Sequence, residues 1–292
     1  MQRRKTLKEL TLKDNFMFAA SMIAEPDNCA GVIERATGIP VDRVEVVTEK
    51  SILYHPEYKG IRLDVYARDE NHTHYDIEMQ VLGVKEIAKR ARYYHSQIDM
   101  ELLLSGKAYA ELPKSIVIFI CDFDPFGYKK YRYTFESTCQ EEKSLCLEDG
   151  SITIFLSTRG TNEREVPEAL VKLMKFVKAD LEESQADFGD DFVRQLQKTI
   201  RNVKASREVE GQYMLLEELL REERREGKEE GREEGRVEGR AEVVLELLEE
   251  LGNVPEELQA KIFGETDLER LSQYIKLAVK AESIEQFAEA IQ

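Results

Sequence analysis

Residues 61–80, IRLDVYARDENHTHYDIEMQ, constrain the fold more than any other stretch of the chain. Ile61, Leu63, Val65 and Ala67 fall on one side of a strand, and Arg62, Asp64, Tyr66 and Arg68 on the other. Arg68-Asp69-Glu70-Asn71 supplies a polar turn. A second strand follows, with Tyr75, Ile77 and Met79 on one face and Asp76, Glu78 and Gln80 on the other. Three polar side chains in succession on one strand face make poor core material. With Asp64 on the neighbouring strand they form a small carboxylate cluster, the oxygen donor set that a hard divalent cation requires. The bland reading is that Asp64 and Glu78 form ion pairs with Arg62 or Lys59.

The flanking segments extend this into an α/β pattern. Leu12, Phe16, Ala19, Ala20 and Ile23 give a helical stripe that Pro26 breaks, and a second helix over about 27–37 ends at Gly38, with Pro40 beyond. Asp14 reads either as the start residue of the first helix or as a further acid directed at the cluster. Residues 43–53 alternate as a strand, and 55–60 read as a turn. A long helix over 83–104 carries Ile87, Ala91, Tyr94, Ile98 and Leu102 on one stripe and Lys85, Lys89, Arg90 and Arg92 on the opposite face. Those cations are either a solvated surface or a set placed to neutralise phosphates beside the acidic strand. Tyr93 and Gln97, one turn apart on the same helix, are supporting candidates. Residues 113–121 are a nearly continuous β-branched run, hence a buried central strand. Residues 130–135 and 151–156 are further strands, split by the turn Glu148-Asp149-Gly150. Strand signals stop at Gly160, which divides the sequence into an α/β domain over 1–160 and a helical region over 161–292.

Charge and length exclude several classes. The 292 residues carry a net charge of −16, which looks wrong for a nucleic-acid binder until it is divided along the chain. Residues 1–160 hold 22 Lys and Arg against 25 Asp and Glu, while the remainder hold 20 against 33, so the acidity belongs to the C-terminal half. No apolar run approaches the 18 residues of a membrane span. The opening MQRRKTLKEL lacks the apolar stretch of a secretion signal, so a cytoplasmic location is expected. Cys29, Cys121, Cys139 and Cys146 show no CxxC spacing and read as free thiols. His72 and His74 fall in or beside the turn and read as solvated. No P-loop, GxGxxG, nucleophile elbow or zinc spacing is present.

One repeat stands out in the acidic half. Gly227, Gly231, Gly235 and Gly239 recur every four residues, each preceded by Glu and followed by Lys or Arg. Four glycines cost a lone helix roughly 4 kcal/mol. If the helix forms, its i±4 row becomes a groove between a Glu ridge and a basic ridge, suited to parallel self-association. The alternative is a solvated linker.

The motifs LKDNFMF, RLDVYARDE, DIEMQ, RARYYHSQ and LPKSIVIFI, in this order, resemble the Rpn-like recombination-promoting nuclease and transposase branch of the PD-(D/E)XK nuclease superfamily. The resemblance covers about residues 10–160. It implies a restriction-endonuclease-like core, a mixed sheet flanked by helices, with DNA as substrate and Mg²⁺ or Mn²⁺ as cofactor. By match of position, Asp64 and Glu78 would be metal ligands, with the Met79 carbonyl a third and Asp14 the acid of the first helix. Gln80 stands where most of the superfamily has Lys; a Gln cannot act as a base but can orient a water. Two function classes follow: a metal-dependent DNA endonuclease linked to recombination, mobile elements or defence, and an inactive DNA-associated oligomeric regulator that retains the fold.

Overall fold

The computed structural model describes residues 5–52 and 61–291, with the side chains of 48–62 and 230 outside the description. Helices α1 (Asn15–Ala24) and α2 (Pro26–Thr37) lead into strands β1 (Val44–Ile52), β2 (Ile61–Asp69) and β3 (His74–Gln80). Helix α3 (Ile87–Leu102) crosses to β4 (Ser115–Cys121), followed by β5 (Arg132–Phe135) and β6 (Ser151–Ser157). The six strands form one mixed sheet in the order β1-β2-β3-β4-β6-β5. Its centre, β3-β4-β6, is parallel and its flanks are antiparallel. The turn expected over 55–60 lies outside the described residues.

Strand alternation sets the two faces. Val65, Ala67, Tyr75, Ile77, Met79, Ile116 and Ile118 point into the larger core. Tyr66, Val117, Phe119, Cys121 and Phe155 point to the face that α3 covers with Ile87, Ala91, Tyr94 and Ile98. Leu63 joins this second cluster rather than that of Val65. As expected, Gly38 caps α2 with φ at 78°, its N–H donating to the Glu34 carbonyl at 2.8 Å. Helix α3 begins at Ile87, where its apolar stripe begins and four residues after the expected start at 83, so Lys85 lies in the turn before it.

The larger core is sealed by two helices that the strand pattern does not announce. Helices α4 (Glu168–Lys178) and α5 (Asp191–Ala205) contribute Leu170, Leu173, Met174, Val193, Leu196 and Ile200 to the same cluster as the sheet. The first compact unit therefore closes at Tyr213, not near residue 160. The physical reason is burial: a sheet with apolar side chains on both faces needs helices on both, and α1 and α2 do not cover the first face alone.

Helix α6 (Arg207–Glu249) takes in the whole glycine repeat without a break. Added Cβ atoms at Gly227, Gly231, Gly235 and Gly239 would meet nothing within 4 Å. The end of α6 joins α7 (Glu256–Phe263), α8 (Leu268–Ala278) and α9 (Ile284–Ala290) in a second compact unit, residues 214–292. Its own small core is built on Val244, Leu248, Ile262, Leu271 and Phe287. No helix among the described residues is long and apolar enough to cross a membrane.

His95 pins α3 to the sheet. Its Nδ1 lies 2.8 Å from the Ser115 hydroxyl on β4, and its Nε2 lies 3.1 Å from the Thr153 hydroxyl on β6. Burial pushes the imidazole down to about 4, against a weaker upward pull from Asp149. The unfolded chain therefore takes up a proton near pH 6.5 that the folded chain refuses. Stability supplied here is complete above that pH and falls as the pH drops toward 4. Urea titrations of wild type and His95→Gln between pH 7 and 4 are expected to show a shallower fall for the variant.

Candidate functional site

The expected carboxylates meet where β2 and β3 part. The two strands pair from Arg68↔His74 to Val65↔Ile77, and the ladder stops there. Beyond it, side chains take over the bonding. The Asp64 N–H donates to Glu78 Oε1 at 3.0 Å, and the Met79 N–H donates to Asp64 Oδ2 at 3.1 Å. Asn15, in the first turn of α1, donates its Nδ2 to the same Asp64 oxygen at 3.2 Å. Even-numbered residues of β3 bond to β4, as the Gln80 carbonyl does by accepting from the Asp122 N–H. The odd-numbered ones therefore turn their amides toward β2, which sets the Met79 carbonyl on the Asp64 side.

Glu78 is 1% exposed, yet it faces Asp64 across the fork and Asp76 two residues back. Arg90 answers this charge from α3. Its Nη2 pairs with Glu78 Oε2 at 2.5 Å, its Nη1 donates to Gln80 Oε1 at 2.8 Å, and its Nε donates to the Tyr94 hydroxyl at 2.7 Å. The guanidinium also lies over the Tyr94 and Phe119 rings. Gln80 completes the chain by donating Nε2 to the Leu82 carbonyl at 2.7 Å.

Asp76 is fully buried, and among the described residues neither of its carboxyl oxygens has a hydrogen-bond donor. Burial, and then the negative charges of Glu78 and Asp64, push its pKa well above the usual carboxylate range. Burial and Asp64 also raise Glu78, while Arg90 holds it back. Arg90 is thus the guanidinium that pairs with Glu78 and counters the raised pKa of both buried acids.

A family of PD-(D/E)XK nuclease family transposases matches residues 36–228, well over half of the chain. The protein belongs to this family. No curated protein and no solved structure matches it. As a PD-(D/E)XK protein it has the expected mixed-sheet core with a helical C-terminal region, and its family is one of nucleases that act on DNA. The match takes in α4, α5 and the start of α6, but not α1.

Other expected residues are placed differently. Asp14 sits at the N-cap position of α1, but its carboxylate accepts from the Thr11 N–H at 2.7 Å and pairs with Lys5 at 2.6 Å. Its carboxylate is engaged at the start of the chain, and its neighbour Asn15 is the residue that reaches Asp64. Arg90 is drawn into the carboxylates instead of lying on a solvated face. Lys85, Lys89 and Arg92 are exposed, Tyr93 is half-buried against the second core cluster and Gln97 is buried. Arg90 pairs with Glu78, while Lys59 and the Arg62 side chain, the alternative partners expected for the two acids, lie outside the described residues. His74 is buried, with its Nδ1 2.5 Å from the Tyr66 hydroxyl, whereas His72 is exposed in the turn with φ at 60°.

Family members typically use a divalent metal, and the donors here suit one. The set is oxygen only, and among the described residues no group donates to either oxygen of buried Asp76. Among the described residues no three His, Cys, Asp or Glu side chains group closely enough to cage a cation. A metal would therefore rest on the Asp64–Glu78 pair, a backbone carbonyl and water. Mg²⁺ is commonly held this way.

Removing Arg90 takes away the cation paired with buried Glu78. Arg90→Met is expected to lower stability at pH 8 by about 2–3 kcal/mol, less than for a fully buried pair because Arg90 is 34% exposed. Adding Glu78→Gln is expected to recover most of that loss, a coupling that urea denaturation of the two single variants and the double variant reads directly.

Proposed function

We propose that the protein is a Mg²⁺-dependent DNA endonuclease that hydrolyses phosphodiester bonds at the fork between β2 and β3, with Mn²⁺ as an alternative cation. The observation that carries this reading is the direct opposition of Asp64 and Glu78 across strands that have stopped pairing. Asp64, Glu78 and the Met79 carbonyl would hold the metal, which when bound lowers the pKa of a water and offsets charge developing on the phosphate. Gln80 keeps one N–H and one carbonyl lone pair beyond its bonds to Arg90 and Leu82, enough to orient the attacking water. Arg90 supplies the positive charge that Gln80, in place of Lys, does not. Exposed Lys85, Lys89 and Arg92 hold the DNA backbone next to the site. Such cutting serves recombination, mobile-element movement or defence, within the cytoplasm.

A second reading has its own support. The Arg90–Glu78 pair already satisfies the central carboxylate, and both ends of Gln80 are engaged. A site that supplies its own cation fits an inactive, DNA-associated regulator. Supercoiled plasmid with Mg²⁺ decides between the two. Nicking that is lost in Asp64→Ala, in Glu78→Ala and in EDTA is the expected result, with Gln80→Ala slowed about 10–100-fold as a residue outside the ligand set. DNA binding without cutting, indifferent to all three substitutions, supports the regulator.

We also infer that α6 joins copies of the chain side by side in parallel. Its open glycine row lies between a Glu ridge and a basic ridge, of which Arg240 is tied to the Leu268 carbonyl and Ser272. In a parallel pair each Glu ridge meets the partner's basic ridge, an attraction that salt screens. Light scattering of the full chain is expected to give a mass above 33.8 kDa at low salt, and Gly231→Leu with Gly235→Leu a monomer. A wild-type monomer at high concentration removes this inference and leaves the nuclease reading untouched.

A further inference from the structure

Helix α3 serves a second place on the same sheet face. While Arg90 turns to the carboxylates, Arg92, His95, Ser96 and Asp99 line a separate cavity of about 480 Å³ near the start of β6. Its floor is aromatic. Phe155 is 2% exposed, with Phe126 and Phe135 packed against it at centroid separations of 5.1 and 5.8 Å and steep interplanar angles. Phe126 and Phe135 touch each other at 5.1 Å, so the three rings make a continuous surface, with Phe135 47% exposed.

The polar groups above this floor are not equivalent. His95 is committed to Ser115 and Thr153. Asp149 accepts from the Ser151 N–H and the Ser137 hydroxyl, one on each oxygen. Asp99 is different: among the described residues its carboxylate has neither a donor nor a cation. Burial and the Asp149 charge both work against its ionisation. Arg92 is exposed at the cavity.

We propose that this cavity is a nucleobase pocket that takes an unstacked guanine of the DNA strand, with the base on the Phe135 ring and its Watson–Crick edge on Asp99. The face of a single ring, that of exposed Phe135, suits a planar base, which stacks without regard to sequence. A carboxylate offers two acceptors side by side, and guanine presents two adjacent donors, N1–H and N2–H. Thymine presents one N–H between two carbonyls, which the carboxylate repels. Arg92 suits the phosphate that accompanies a base. It also disfavours an organic cation, for which contacting rings provide no enclosing box. Strand register places the cavity close to the fork. Glu78 aligns with Phe119, and Thr153 aligns with Val117 one strand further on. Two residues along and two strands across is about 12 Å, within a few nucleotides of the cut. The pocket would therefore set which sequences are cut. This inference rests on the nuclease reading for its biological sense, but its chemistry is measured separately.

The test is calorimetric titration of the full chain in EDTA with deoxyguanosine and thymidine 5′-monophosphates. The guanine nucleotide is expected to bind about tenfold or more tightly than the thymine one, the scale of a bidentate base contact. Phe135→Ala is expected to weaken both about fivefold or more, and Asp99→Asn to abolish the preference while leaving the weaker stacking. Both positions are at least partly exposed, and unchanged circular dichroism and melting check that the fold survives. Absence of guanine nucleotide binding, indifference to both substitutions, or preferential binding of spermidine overturns the proposal. Plasmid cutting without nucleotide binding removes the pocket and keeps the nuclease. Nucleotide binding without cutting does the reverse.

Discussion

The contact on which the site depends is the guanidinium of Arg90 beside Glu78. Asp76 and Glu78 lie on a central strand, on the face that α3 covers, where Val117, Phe119 and Phe155 make the surroundings apolar. Charge in such a place is costly unless it is compensated. Arg90 supplies the compensation and, through Gln80 and Tyr94, ties the acidic strand to the helix that covers it. Asp64, the less buried acid, accepts from the Met79 backbone amide and the Asn15 side-chain amide. The fork is held open because carboxylates occupy the positions where ladder bonds would otherwise form.

Much of this was legible in the residues. The two-residue period of a strand converts directly into a face, so Asp76, Glu78 and Gln80 were bound to share one. The antiparallel turn set Asp64 near them. The run over 113–121 could only be a buried strand, and β4 is buried throughout. Helical stripes are weaker evidence. Arg90 shares its flank with Lys85, Lys89 and Arg92, and periodicity does not say which of four cations a neighbouring strand will capture. In the same way, Asp14 and Asn15 are adjacent polar residues at a helix start. Which of them faces the sheet depends on the entry angle of the chain, fixed by Thr11 and Lys5. Asp76 was visible as an acid on the right face, but its lack of a donor is a property of packing.

The compact unit runs past residue 160 to Tyr213 for a related reason. Strand signals end at Gly160, yet the sheet's demand for cover does not. Helices α4 and α5 have strongly amphipathic patterns, and an amphipathic helix says only that it is covered on one side. Whether its partner is the preceding sheet or a neighbouring helix is a tertiary fact. The match to the family over residues 36–228 is consistent with the longer unit.

That arrangement has a consequence for synthesis. The parallel centre of the sheet pairs β3 with β4 and β4 with β6, and the face opposite α3 is finished only when α5 arrives. A ribosome making roughly 5–20 residues per second exposes the strands for several seconds before residues 168–205 emerge. During that interval the Tyr75, Ile77, Ile116 and Ile118 face of the nascent chain lacks two of its four covering helices. An apolar face left open for that long is prone to aggregation until the later helices close it, so the fold is completed from behind.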